Sequence, residues 1–197
     1  MVGALALDRA GELATRVDVG YFITGGGARP SGGTAASMAG AIVAPAFGFH
    51  DGRVQAERGA KRVRSFRVGS KDRQGISVGS SEHFALPRLA SRLRDVNVFL
   101  GWFGPASRGM QVLSAGTTVG MKVPGAEKLW SSASERFVKG STGGPDAAAR
   151  ARMGSRVVAI AYDAAGRRLS EVNLKGVDGY TFTARMLAWA AERAATG

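Results

Sequence analysis

The segment Asp95 to Phe103 limits the possible folds most. Val96, Val98, Leu100 and Trp102 alternate along it with Phe99 and Phe103, so an extended chain here is apolar on both faces. A strand of that kind needs a covering layer on each side and belongs in the interior of a sheet. Arg16 to Thr24 carries the same period of two, with Val17, Val19, Tyr21 and Ile23 on one side and Asp18, Gly20, Phe22 and Thr24 on the other. Val63 to Val68 and Gly75 to Val78 read as short strands. Arg156 to Tyr162, the turn Asp163 to Gly166 and Leu169 to Leu174 read as a hairpin.

Helical spacing marks other parts of the chain. Leu5 to Ala14 has helical composition, and Ala35, Met38, Ala39, Ile42 and Val43 recur on one helix face, with Ser31 or Thr34 placed to cap it and Pro45 to stop it. Leu86, Leu89, Ala90 and Leu93 line a short helix. Ser107 to Val123 and Ala126 to Val138 read as two longer ones, and Pro145-Asp146 suits the first turn of a helix reaching about Met153. A short strand near Tyr180 to Phe182 is expected before a final helix capped by Thr183, whose buried side holds Met186, Leu187, Ala190, Ala191 and Ala194. Strands in neighbouring runs and hairpins predict an α+β fold, a mixed and largely antiparallel sheet backed by helices, in one domain spanning residues 1–197. With 197 residues, 45% of them hydrophobic, the chain has enough apolar surface for such a core.

The chain has no cysteine and only two histidines, His50 and His83, far apart and without a local carboxylate cluster, so no metal site is expected. The net charge of +12 would attract an anionic partner. Its densest source, Arg53 to Arg73, contains one aromatic residue, Phe66, and lacks the interleaved rings of a single-strand binding groove. It reads as a solvated strand and loop face, and nucleic acid is disfavoured as a partner. Met1 to Leu7 does not resemble a secretory leader, and glycines and prolines interrupt the long uncharged stretch Pro30 to Phe49. A cytoplasmic location is therefore expected, with peripheral membrane contact left open.

The turn from Gly27 to Thr34 has phosphate-loop spacing, but Gly33 stands where that loop needs its lysine, which removes an ATPase reading. Its remaining capacity lies in helix-start amides, the hydroxyls of Ser31, Thr34 and Ser37, and the guanidinium of Arg29, which suit an anion or a carbonyl. A plain glycine turn into a capped helix accounts for the same residues. Gly25-Gly26-Gly27 does not match the dinucleotide fingerprint, because Pro30 occupies its third glycine position. In Ser80-Ser81-Glu82-His83, read as strand, Ser81 and His83 share a face and Glu82 points away. His83 is thus a candidate general acid or a hydrogen-bonded structural histidine. Gly179-Tyr180-Thr181-Phe182-Thr183 sets a phenol and two hydroxyls before a helix.

Three of these segments, taken in order, resemble the C-terminal portion of saccharopine dehydrogenase-like oxidoreductases, the family that includes bacterial trans-acting enoyl reductases. Ser31-Gly32-Gly33-Thr34 with Ser37 is similar to the family's S-G-G-T turn. Gly143-Gly144-Pro145-Asp146 followed by Arg150 and Arg152 is similar to its G-P-x-x-x-x-R segment. Gly179-Tyr180 through Thr183 to Met186-Leu187 is similar to its G-Y-x-x-T-x-x-M-L signature, with Val177-Asp178 in place of the usual D-P.

The resemblance implies a substrate-binding and dimerisation domain that closes over the nicotinamide of NAD(P)H held by a separate Rossmann domain. That Rossmann domain is absent from this sequence, so the chain alone is expected to bind no cofactor and to have negligible hydride-transfer activity. Arg29, Ser31, Gly32, Gly33, Thr34, Ser37, Gly179, Tyr180 and Thr183 are the implied cleft residues. The catalytic acid stays unassigned, with His83 and Tyr180 as candidates. The implied partners are a second copy of the chain or a Rossmann polypeptide, and a lipid-like acyl substrate would suit the apolar surroundings of Trp102 and Val112. The competing expectation is a stand-alone basic protein for anionic lipid or nucleic acid, acting through Arg62, Arg64 and Arg67.

Overall fold

A computed structural model describes residues 2–25, 31–34, 45–120 and 143–196. Its centre is β1 (Arg16–Thr24), which lies parallel to β6 (Asp95–Leu100) and antiparallel to β7 (Gly154–Tyr162). β8 (Arg168–Val177) continues the sheet beyond β7 and forms one edge. On the other flank β2 (Pro45–His50) joins β6 at Val96 and carries β3 (Arg53–Arg58) outside it. Near the far end of β6, β5 (Lys71–Ser77) pairs with Phe99 and Leu100 and carries β4 (Val63–Val68). The result is a mixed, mostly antiparallel eight-stranded sheet in an α+β fold, as the alternating segments predict.

Each face of the central strands has its own core. On one face Val17, Val19, Val96, Val98, Ala159 and Ala161 lie under Ala6 and Leu7 of α1 (Val2–Ala10) and Leu86 of α2 (Glu82–Leu89). On the other, Phe22, Phe99, Val158 and Ile160 are covered by Phe66 and Val68 of β4. The rings of Phe66 and Phe22 are 5.5 Å apart, and those of Phe66 and Phe99 are 5.4 Å apart. The apolar residues on both sides of Asp95–Leu100 thus find their two covering layers, one helical and one a strand. Glycine makes room for Phe22: a Cβ at Gly101 would stand 2.1 Å from its ring.

Several expectations need correction. The segment from Asp95 leaves the sheet after Leu100, because Gly101 and the residues beyond it turn into a short 3₁₀ turn at Gly104–Ala106. α1 begins at Val2 and ends at Ala10, with a 3₁₀ turn at Gly11–Leu13. Ser80–His83 is not strand: β5 stops at Ser77, and Glu82 and His83 open α2. Leu89 is 70% exposed: that helix ends there, and the chain turns at Ala90 so that Ala90 and Leu93 face inward instead.

The final helix, α5 (Gly179–Thr196), already contains Tyr180–Phe182, so those residues are helix and not the short strand expected there. Asp178 rather than Thr183 caps it, accepting from the Thr181 amide at 2.9 Å. The side of α5 expected to be buried is exposed, Met186 and Leu187 included. α3 (Ser107–Gly120) matches the first of the two long helices, and α4 (Ala147–Arg152) starts on its Asp146 cap. The expected helices at Ala35–Val43 and Ala126–Val138 lie outside the described residues. Among the described residues no helix is long and apolar enough to cross a membrane.

Candidate functional site

Beyond the end of β1 three distant stretches of chain meet. Gly25 leaves the strand with φ +80°, and a Cβ there would lie 2.0 Å from the Arg152 carbonyl, so only glycine allows this turn to press against the end of α4. The chain is described again at Ser31, whose Oγ accepts from the Thr34 amide at 3.2 Å and lies 2.9 Å from Thr34 Oγ1. Ser31 is therefore the cap of the helical turn at 32–34, one of the two residues placed to do so by sequence. The phenol oxygen of Tyr180, in the first turn of α5, accepts from the Ser31 amide at 3.0 Å and lies 3.3 Å from Thr34 Oγ1. The middle segment borders the corner: Gly144, at φ +123°, lies beside Ser31, and a Cβ there would be in ordinary contact with the serine's Cβ at 3.4 Å.

Electrostatics follow from these contacts. Burial pushes the Tyr180 phenol up, but the hydrogen bonds from Ser31 and Thr34 favour its anion and leave it below the usual phenol value. Burial likewise pushes the Asp178 carboxyl up. The Thr181 side chain, the Thr181 and Tyr180 amides and the Arg150 guanidinium outweigh it and hold that carboxyl below the ordinary range. Of the predicted cleft residues, Ser31, Thr34 and Tyr180 bond to one another, Gly32 and Gly33 lie in the turn that Ser31 caps, and Gly179 starts α5. Thr183 is exposed and does not reach Ser31 or Thr34 by hydrogen bond. Arg29 and Ser37 lie outside the described residues.

His83 sits elsewhere. It is 1% exposed, stacks edge-on against Phe47 at 5.6 Å, and its Nδ1 lies 3.1 Å from the Ser80 amide and 3.0 Å from the Ser80 carbonyl. Burial lowers its basicity below that of a free imidazole. A ring held this way pins the start of α2, and the general-acid candidacy finds no open approach here. Its neighbour Glu82 accepts hydroxyl hydrogens from Tyr21 and Ser80. Burial and this bond raise the Tyr21 phenol strongly, whereas the two hydroxyls outweigh burial and lower Glu82.

The basic stretch is less solvated than its composition predicts. Arg64 pairs with Asp18, a carboxylate only 2% exposed on β1 that also accepts from Asn97 at 2.7 Å. Arg62 binds Glu57 at 2.6 Å, and Arg67 reaches Asp72 at 3.2 Å. Arg62 Nη2 also lies 3.0 Å from His50 Nε2, while His50 Nδ1 lies 3.1 Å from Asp95. A guanidinium can only donate, so Nε2 accepts and Nδ1 carries the proton toward Asp95. This His50 group was missed from sequence. Its one signal was Gly48, two residues back on the same face of β2, where a Cβ would stand 2.5 Å from His50 Nε2. Among the described residues no group of three or more His, Asp and Glu is arranged to hold a metal ion.

No model of a known protein family matches this chain, and a search of characterised proteins finds no match.

Proposed function

We propose that this chain is the substrate-binding and dimerisation part of an NAD(P)-dependent reductase of the saccharopine dehydrogenase-like type, and that another polypeptide segment grips the dinucleotide. The supporting observation is the corner itself. The three segments that carry the resemblance are separated by up to 149 residues, yet they converge through Tyr180, Ser31, Thr34 and Gly144. A signature scattered along a chain gains weight when its members share one place, because unrelated residues have no reason to meet there.

The corner fits one wall of a nicotinamide cleft. It has hydroxyl groups able to hold a polar ring substituent, next to a phenol with eased ionisation. The bound dinucleotide would supply the hydride, while Ser31, Thr34 and Tyr180 would orient the reacting group and hold a proton at the phenol oxygen. The competing basic-surface reading is disfavoured by its own residues, since Arg62, Arg64 and Arg67 each already face a carboxylate.

Two fluorescence titrations of the isolated chain test this reading. A long-chain acyl thioester should bind at roughly micromolar concentration, and NADPH should not bind below about 1 mM. Micromolar NADPH binding would overturn the division of labour. Failure of the thioester would remove the lipid-like substrate, and salt-sensitive retention on anionic vesicles abolished by Arg62→Ala would favour the basic-surface reading instead.

A further inference from the structure

β8 is the longest strand and an edge of the sheet, with no strand beyond it among the described residues. The direction of its free hydrogen-bonding groups follows from β7. Tyr162 turns its carbonyl toward β1, where it accepts from the Thr15 amide at 2.9 Å. Backbone groups alternate along a strand, so Ala161, Ala159 and Val157 point the other way, to Ser170, Val172 and Leu174 on β8. The residues between these on β8, Glu171, Asn173 and Lys175, therefore turn their amides and carbonyls to the open side. Such an edge is a template for another strand.

We propose that two copies of this chain join by antiparallel pairing of their β8 edges about a two-fold axis at Asn173. The sequence of β8 is self-complementary in this register. Glu171 of each copy falls opposite Lys175 of the other, twice over, and Val172 falls opposite Leu174. Shifting the register by one residue in either direction sets opposite residues on different faces. Shifting it by two sets Glu171 against Asn173 or Val177, and the charge match is lost.

Within its own chain Lys175 makes no ion pair among the described residues, Glu171 shares its carboxylate with the exposed Arg168 at 2.7 Å and with Asn173 at 2.8 Å, and Leu174 is half exposed. From Phe182 to Thr196 every residue of α5 is exposed, including Phe182, Met186, Leu187 and Trp189. An apolar helix side of this kind needs cover. α5 leaves the far end of β8, so the second copy that this register seats on the edge would bring the start of its own β8 alongside. The pairing part of the function proposed above underlies this inference, which adds the surface, axis and register.

Sedimentation equilibrium with charge-reversed chains tests it. Wild type should dimerise, and Glu171→Lys or Lys175→Glu alone should raise the dissociation constant roughly tenfold by setting like charges opposite at both ends. The double reversal should return it to within about threefold of wild type, an outcome that general destabilisation would not produce. Asn173→Pro removes an amide on the open side that β7 does not use, and should give a monomer with an unchanged far-ultraviolet spectrum. The chain has no native cysteine, so Asn173→Cys with a short bismaleimide should cross-link to a dimer and no further.

A dimer indifferent to the charge reversals and the proline would overturn the β8 interface but leave the dimerisation reading standing. A wild-type monomer at about 100 µM would overturn both. The NADPH titration bears only on the cofactor half of the proposal, so the two ideas can fail separately.

Discussion

The middle of the sheet and the corner at Tyr180 are built on opposite principles. In the middle, β1, β6 and β7 bury apolar side chains on both faces, and Phe22 is packed so tightly that two neighbouring positions must be glycine: a Cβ at Gly20 would stand 2.6 Å from its ring. At the corner, three loops and helix starts are joined by hydrogen bonds between half-buried hydroxyls and amides, and α5 beyond it packs against almost nothing among the described residues. Stability rests in the first region, while groups able to touch a ligand or a second copy gather in the second. The separation is physical. Close packing excludes solvent and substrate alike, whereas a polar corner near a free edge can receive both.

The largest effect should therefore come from the middle. Phe22→Ala removes a ring that meets Phe66 edge-on and leaves a cavity among Phe66, Phe99 and Val158. It should cost about 4 kcal/mol in urea unfolding, enough to unfold much of a marginal domain. A loss under about 1 kcal/mol would mean that the second core is not the support described here.

That contrast also explains what could be read from sequence. The alternating residues of Arg16–Thr24 gave the bounds of β1 because both faces are buried, and burial is what imposes a period of two. The hairpin at Arg156–Leu174 was legible for the same reason, aided by Gly166 at φ +80°. Capping at Ser31 followed from local chemistry, and the meeting of Ser31, Thr34 and Tyr180 followed only from resemblance. α5 was misread because its apolar spacing is genuine but its cover is not within the described residues, so a periodic stripe was assigned to a core it does not touch. The hydrogen-bonded role offered for His83 holds, but its setting was misread as strand because Ser80–Glu82, three polar residues after a strand, carry the signal of a helix start as much as of continued strand. The His50 and Asp18 pairings join strands far apart in sequence, and no local pattern encodes them.

An intermediate effect tests the boundary between the regions. His83 is buried and its basicity is lowered by that burial, so the folded chain binds its proton less readily than the unfolded chain does. The unfolded state then holds more protons as pH falls through 6.5, the ordinary histidine value, and stability must decline below that pH until the folded ring itself protonates. Unfolding free energy measured from pH 7 to pH 5 should fall by up to about 1.4 kcal/mol per unit, and His83→Gln should flatten that slope. An unchanged slope in the variant would mean that the imidazole is not held neutral against Phe47 and the Ser80 backbone.

The smallest change in stability and the most telling change in chemistry should come from Tyr180→Phe. The ring stays, and only the oxygen that accepts from Ser31 and sits beside Thr34 is lost, so unfolding should shift by less than about 1 kcal/mol. A pH titration of tyrosinate absorbance should nevertheless lose its earliest component, because Tyr180 ionises below the usual phenol value of 10.0 while Tyr21 ionises well above it. Thr34→Val should keep that component but move it upward, since one of the two groups favouring the phenolate is gone while the Ser31 amide remains. If Tyr180→Phe instead unfolded the chain as Phe22→Ala should, the corner would be part of the core, and the division between a packed centre and a chemically open corner would fail. If it left the absorbance titration unchanged, the hydroxyl contacts would not tune the phenol, and Tyr180 would lose its claim as the proton-holding residue of the cleft.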